Sequence, residues 1–243
     1  MKDLIFYYND STSEEQNFII QKSNHLDFAQ NNIESTRVPN RRGDLVPQQQ
    51  DDFPNVLIKV EGTVLPFEGE TLKEALRRVN NWLRQNPSQF NRLQFSDEDV
   101  YSNAVYKNLL DLDNKYNLLG TVTLLFEREP FKKNISESVI EITAKDKPVF
   151  NPSSVSSTPI MKIYGSGDIT LYIGDYGVNL KGIEDYIILD SNLQDAYILK
   201  NGIIDLKNSK MDGQFPELAP GLNYISWSGN VSKIELTPGI NEF

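Results

Sequence analysis

From about residue 140 to the end of the chain, short apolar runs recur roughly every 8–12 residues, each broken by Gly, Asn or Asp, and no 3.6-residue apolar pattern interrupts them. Such a chain has few ways to fold. Its strands must pair with near neighbours through tight turns, which gives an antiparallel β-sandwich. The strongest local signal is Asp195-Ala196-Tyr197-Ile198-Leu199-Lys200, then Asn201-Gly202, then Ile203-Ile204-Asp205-Leu206. Asn-Gly supplies the two positive φ angles of a type I′ turn. Two further units read as hairpins: Ile169–Ile173 turning at Gly174-Asp175-Tyr176-Gly177, and Asn223–Trp227 turning at Ser228-Gly229-Asn230 into Val231–Leu236. Gly165-Ser166-Gly167-Asp168 reads as one more hairpin turn. No Gly-Lys-Ser/Thr follows to make it a phosphate loop, and the next residues form a strand.

The first half reads as strands around one helix. Leu4–Tyr8 and Phe18–Gln21 are short strand-like runs separated by a polar turn cluster, which suggests an opening hairpin; Asn55–Glu61 and Gly120–Glu127 are further strands. Thr71 stands three residues before Glu74 and ahead of Leu72, Ala75, Leu76, Val79, Trp82 and Leu83. That is a capping box opening an amphipathic helix, which should stop near Asn86-Pro87. Its polar face carries Lys73, Arg77, Arg78 and Arg84, a solvated face or an ion-paired subunit contact. Between strand and helix, Arg37–Pro47 holds two prolines, a glycine and the pair Arg41-Arg42, so it reads as a turn-rich surface excursion or protein contact. All eight arginines lie at or before Arg128, and the apolar run ending there is followed by Glu129-Pro130-Phe131-Lys132-Lys133-Asn134. The domain boundary is placed at this break, giving domains 1–132 and 133–243.

Composition narrows the chemistry. The 243 residues contain no cysteine and a single histidine, His25, which excludes disulfide scaffolds, thiolate zinc sites, a cysteine nucleophile and multi-histidine metal cages. Lys and Arg total 24 against 34 Asp and Glu, a net charge of −10, which argues against gripping nucleic acid by its phosphates. The N-terminal apolar run is too short for a signal peptide, and no window approaches a membrane span. Asp111/Asp113, Glu184/Asp185 and Asp190/Asp195 are paired carboxylates of a kind that arises by chance in an acidic chain. Asp111-Leu112-Asp113-Asn114-Lys115 starts like a calcium loop but lacks its glycine and its acidic twelfth position, so it reads as a surface turn. No catalytic residue, cofactor or metal is expected. Trp227 offers a face for stacking on a sugar, although its phase with Ile225 favours the core.

Several strings in order resemble the distal tail protein (Dit) family, the hub at the tail tip of siphophages that infect Gram-positive bacteria. In the first half they are Pro39-Asn40-Arg41-Arg42-Gly43-Asp44-Leu45, Phe53-Pro54-Asn55-Val56, Trp82-Leu83, Leu93–Asp97 with Tyr101, and Phe126 through Pro130-Phe131. The second half is more specific. It carries Ile163–Asp168, Asp185–Asp190, Gly213–Leu218 and Pro220–Asn230.

The resemblance implies a mainly β chain with two sandwich domains, the first with one helix and a protruding hairpin, the second galectin-like. It implies a homohexameric ring built by the first domain, with a central channel through which DNA passes without specific binding. It implies as partners the tail-tube protein, the tail-associated lysin or fibre protein, and a receptor-binding or upper baseplate protein, at the tail tip of the virion, with no membrane. Arg41, Arg42, Arg77, Arg78 and Arg84 are the expected ring contacts. The alternative is a carbohydrate-binding or receptor-binding tail protein that contacts host glycans through Trp227. A galectin-type sugar site uses histidine and arginine, and residues 129–243 have neither.

Overall fold

A computed structural model describes all residues except 1–2, 33–34, 41, 45–52, 88, 116–118, 175 and 243, and the side chains of 109–119. The chain is mainly β, with two sheets and one α-helix, and it divides into two compact units, residues 1–132 and residues 133–242.

The first unit contains β1 (Phe6–Tyr8), β2 (Ser11–Thr12), β3 (Phe18–Ser23), β4 (Val56–Val64), α1 (Leu72–Leu83), β5 (Asn91–Phe95), β6 (Val100–Lys115) and β7 (Leu119–Arg128). Its strands follow the path β2-β1-β5-β6-β7-β4-β3. The opening hairpin therefore differs from expectation. β1 turns at Asn9-Asp10, both at positive φ, into the two-residue β2, while β3 pairs with β4 at the far end of the path. The Asn-Asp pair accepts the left-handed backbone that a two-residue turn demands, so the chain reverses earlier than the length of the polar cluster suggested. β6 and β7 form the longest pairing of the unit, and β4 accompanies β7 from Arg128 to Gly120.

The capping box at Thr71 and Glu74 is present, and Leu72, Ala75, Val79, Trp82 and Leu83 turn into the core as the 3.6-residue spacing requires. The helix ends at Leu83, about a turn short of Asn86-Pro87. Asn9 Nδ2 donates to the carbonyls of Trp82 (2.9 Å) and Leu83 (3.3 Å), so a distant side chain satisfies groups that a further turn would have used. The core is aromatic. Phe6 stacks on Trp82 at 5.3 Å between centroids and meets Phe18, Phe95 and Phe126 at 5.7–6.1 Å, while Trp82 Nε1 donates to Tyr8 O at 2.6 Å.

After β8 (Lys132–Asn134), the second unit runs through β9 (Ile140–Ile142), β10 (Lys147–Asn151), β11 (Ile160–Ile173), β12 (Tyr176–Ile183), β13 (Tyr186–Asp190), β14 (Asp195–Lys200), β15 (Ile203–Leu206), β16 (Met211–Asp212), β17 (Gly221–Thr237) and β18 (Asn241–Glu242). The Asn201-Gly202 hairpin is present, with φ of 52° and 80°. The turn after Ile173 is tighter than expected, because Ile173 already pairs with Tyr176.

The larger difference lies at the other two glycine sites. Gly165-Ser166-Gly167-Asp168 and Ser228-Gly229-Asn230 are not hairpin turns; they are facing irregularities within the continuous strands β11 and β17, which pair from Ile160↔Thr237 to Ile173↔Ile225. A Cβ on Gly165 would sit 2.3 Å from Asn230 O, and one on Gly229, at φ +91°, would sit 2.4 Å from Asp168 O. Only glycine lets the two backbones cross so closely at a bulge. Each string alone has the composition of a turn, and only their opposition makes them a bend.

The bend organises the unit. Before it, β11 pairs with β13, and after it with β12; β17 likewise pairs with β10 in its first part and β9 in its last. The long strands thus serve both layers of the sandwich, switching at the bulge. Residues from both parts, including Ile163, Leu171, Val178, Leu189, Ile225 and Ile234, meet in one buried cluster.

Candidate functional site

The arginines on and near α1 have different duties. Arg78 is spent inside the first unit. Its Nε and Nη2 donate to the two oxygens of Glu70 at 3.1 and 3.0 Å, Nη1 donates to Gln16 O, Nη2 also reaches Leu65 O at 3.3 Å, and the guanidinium lies 4.0 Å from the Phe67 ring centroid. This planar fork ties the helix to the turn before β3 and to the loop after β4. The Arg78 hydrogen bonds hold the Glu70 carboxyl below its ordinary value. Arg77 is exposed, and so is Arg84, whose Nε donates to Asn80 Oδ1 at 3.2 Å one helical turn back. Arg42 is exposed beside Gly43, and Arg41 lies outside the described residues. The expected contact residues therefore do not act as one set: Arg78 is an intramolecular clamp, and Arg77, Arg84 and Arg42 face solvent.

Arg128, unmarked in the sequence beyond being the last arginine, is 1% exposed. Its Nη1 donates to Glu129 O (2.8 Å) and Pro130 O (2.7 Å) and its Nη2 to Asp27 O (2.7 Å). Burial pushes its pKa down, opposed by the charges of Glu98 and Asp27. The guanidinium gathers three carbonyls from loops that have no ladder partners, which is structural work. Lys132, also buried, pairs with Glu98.

The remaining candidates resolve into scaffold. His25 is buried, stacks on Phe95 with centroids 4.1 Å apart, and places Nε2 3.1 Å from Asp97 Oδ2. Asp190 accepts the backbone N–H groups of Asn192 and Leu193 and closes the β13–β14 turn opposite Asp195. Asp111 and Asp113 lie within strand β6, not in a surface turn. Glu184 is almost fully exposed. Among the described residues no group of three or more His, Asp or Glu could hold a metal ion, and no helix is long and apolar enough to cross a membrane. Trp227 is 6% exposed within the core of the second unit, so a sugar could not stack on it without opening that core.

One concave feature escaped the sequence reading. In the second unit a hollow of about 1020 Å³ is bounded by the β11–β12 turn, the 213–219 loop and the start of β17, with Tyr176 and Tyr224 among its exposed walls and Ser191 among its buried ones. Of its walls, only the Gly213-Gln214-Phe215-Pro216-Glu217 string stands out in the sequence, and it carries no chemical motif.

Against known proteins, no family model and no curated protein matches the chain. Solved structures do. The Dit hub protein of phage SPP1, described as a paradigm of the hub adsorption apparatus in phages infecting Gram-positive bacteria, superposes with a TM-score of 0.74 over 97% of this chain and 98% of that one, at 14% identity. This chain has the Dit fold. The baseplate of phage P2 in its activated conformation matches with a TM-score of 0.52 and 12% identity in its calcium form, covering 97% and 98% of the two chains. The strontium form gives 0.52 and 11% identity, over 96% and 97%. At such identities the Dit likeness speaks for the fold, and it extends through both units from end to end.

Proposed function

We propose that this chain is the structural hub of a phage tail tip: six copies close a ring through their first units, join the tail tube to the lysin or fibre below, and leave a central channel for DNA. The observation that carries this reading is the likeness to a phage hub protein over 97% of the chain, with both units matched. A receptor-binding or upper baseplate protein would attach at the side, and the protein would reside at the tail tip of the virion. The net charge of −10 suits a conduit that must not hold the polyanion passing through it.

Two surface features of the first unit fit a subunit contact. Leu26 and Phe28 are 58% and 67% exposed, on a segment that Asn24 fixes to β4 through Leu57 O and Lys59 N. Arg77 and Arg84 project from α1 without the internal clamp that occupies Arg78.

Native mass spectrometry and negative-stain microscopy test the reading. Rings of six subunits are expected, and Arg77→Glu with Arg84→Glu should lower their yield while leaving the monomer folded. A monomer at every concentration, binding neither tail-tube nor lysin protein, would sink the proposal. Arg78 is left intact because its reversal would break the Glu70 pair and confuse assembly with folding. The receptor-binding alternative, as built on Trp227, loses its contact residue to the core.

A further inference from the structure

We propose that the hollow in the second unit is a binding site for a neutral saccharide. Its volume of about 1020 Å³ is that of a large ligand pocket, and its walls combine aromatic rings with a few convergent polar groups. Tyr176 and Tyr224 are 73% and 52% exposed, so ring surface is open to the C–H faces of a sugar. Gln194, Gln214 and Glu217 are all exposed at the rim; the two amides can donate to and accept from hydroxyls, and the carboxylate can accept from them.

The decisive group is Ser191. Its residue is 5% exposed, it lines the hollow, and its hydroxyl has no hydrogen-bond partner among the described residues. A buried hydroxyl so placed is unfavourable alone, and a ligand hydroxyl would satisfy it. Among the described residues no Lys, Arg or His lines the hollow, which argues against recognition of phosphates or uronic acids by charge. Tyrosines beside a carboxylate would also attract a quaternary ammonium. Such a ligand, however, would leave the Ser191 hydroxyl without a partner, so the polar lining favours a polyol.

The walls are built in advance. Asn223 clasps its own loop, accepting from Ala219 N at 2.9 Å and donating to Ala219 O at 2.8 Å and Gly221 O at 3.2 Å. Gly213, at φ +122°, brings the loop against β12, where a Cβ would stand 3.0 Å from Gly177 O. Pro216 and Leu218 are buried beneath it. A wall fixed in this way costs little ordering on binding. The site differs in residues and in chemistry from the histidine and arginine set that this unit lacks.

The full chain is titrated with glucose-, galactose- and N-acetylglucosamine-based trisaccharides by saturation-transfer NMR and calorimetry, with choline chloride and glucose 6-phosphate as contrasts. At least one neutral trisaccharide should bind. Tyr176→Ala and Tyr224→Ala should each weaken it by about tenfold. Ser191→Ala should weaken it too, with the 19F resonance of fluorotryptophan-labelled Trp227 unmoved as a check on the fold. Failure of every neutral sugar, tighter binding of choline or glucose 6-phosphate, or binding indifferent to the double tyrosine variant would overturn the proposal. The site does not rest on the hub reading: saccharide binding by a chain that forms no rings would keep one and remove the other.

Discussion

The two units bury similar sheets and hold them together differently. The first packs an aromatic core, with Phe6, Tyr8, Phe18, Trp82, Phe95, Tyr106 and Phe126 in one cluster, and pins its loops with arginine: Arg78 on Glu70, Arg128 on three carbonyls. The second has an aliphatic core in which Trp227 is the single buried aromatic among the described residues, and it has no arginine at all. Its shape comes instead from two long strands crossing at glycine. Where loops are long, polar side chains must satisfy stray backbone groups; where hairpins are tight, the ladder does so itself. This contrast accounts for Arg78 and Arg128, and not for Arg42, Arg77 and Arg84, which face solvent.

The chain carries two tryptophans, Trp82 in one core and Trp227 in the other, so 19F NMR of fluorotryptophan-labelled protein during urea unfolding reads each unit separately. The largest effect is expected from Gly165→Val, whose side chain must enter the space of Asn230 O; it should cost the second unit more than about 4 kcal/mol and leave the Trp82 transition in place. If the Trp227 transition does not move, the crossing is not what shapes that unit. Arg128→Ala should do the converse, costing the first unit about 3 kcal/mol because three carbonyls lose a buried charged donor. Equal loss in both transitions would show that the guanidinium serves the whole chain. Thr71→Ala removes the capping box and should cost the first unit about 1 kcal/mol.

The smallest effect is one of pH. Glu70 has a lowered folded pKa, chiefly from its hydrogen bonds to Arg78, so its contribution is present above its ordinary value of 4.5 and fades as the pH falls through the folded value. Acid titration below about pH 4.5 should therefore weaken the first unit in the parent more than in Glu70→Gln, whose clamp is already uncharged. Identical acid profiles would place the acid sensitivity elsewhere.

Local rules read well where one segment decides its own structure. The capping box and the apolar stripe of α1 lie within a dozen residues, and Asn201-Gly202 fixes its hairpin by backbone preference alone. They fail where two distant segments decide together. Ser228-Gly229-Asn230 has the composition of a turn, and nothing near it reveals that Gly165-Ser166-Gly167 will lie opposite and make it a bend. The candidate sites divide in the same way. Arg78 and Arg77 are neighbours in sequence and look alike there, yet Glu70, Gln16 and Leu65 engage only the first. The hollow of the second unit gathers Tyr176, Ser191, the 213–219 loop and Tyr224 from well-separated stretches, none of which announces a ligand.

The sequence by itself determined the fold class, the place where composition changes, and the poverty of catalytic equipment, because strand period, turn residues and residue counts are properties of single segments. Tertiary structure alone decided which arginines are clamps and which face solvent, that Trp227 is core, and that a serine with an unpaired buried hydroxyl lines a hollow between loops. Those outcomes depend on which backbone and side-chain groups arrive beside them from far along the chain, and a buried group's energy is set by its neighbours and not by its own identity.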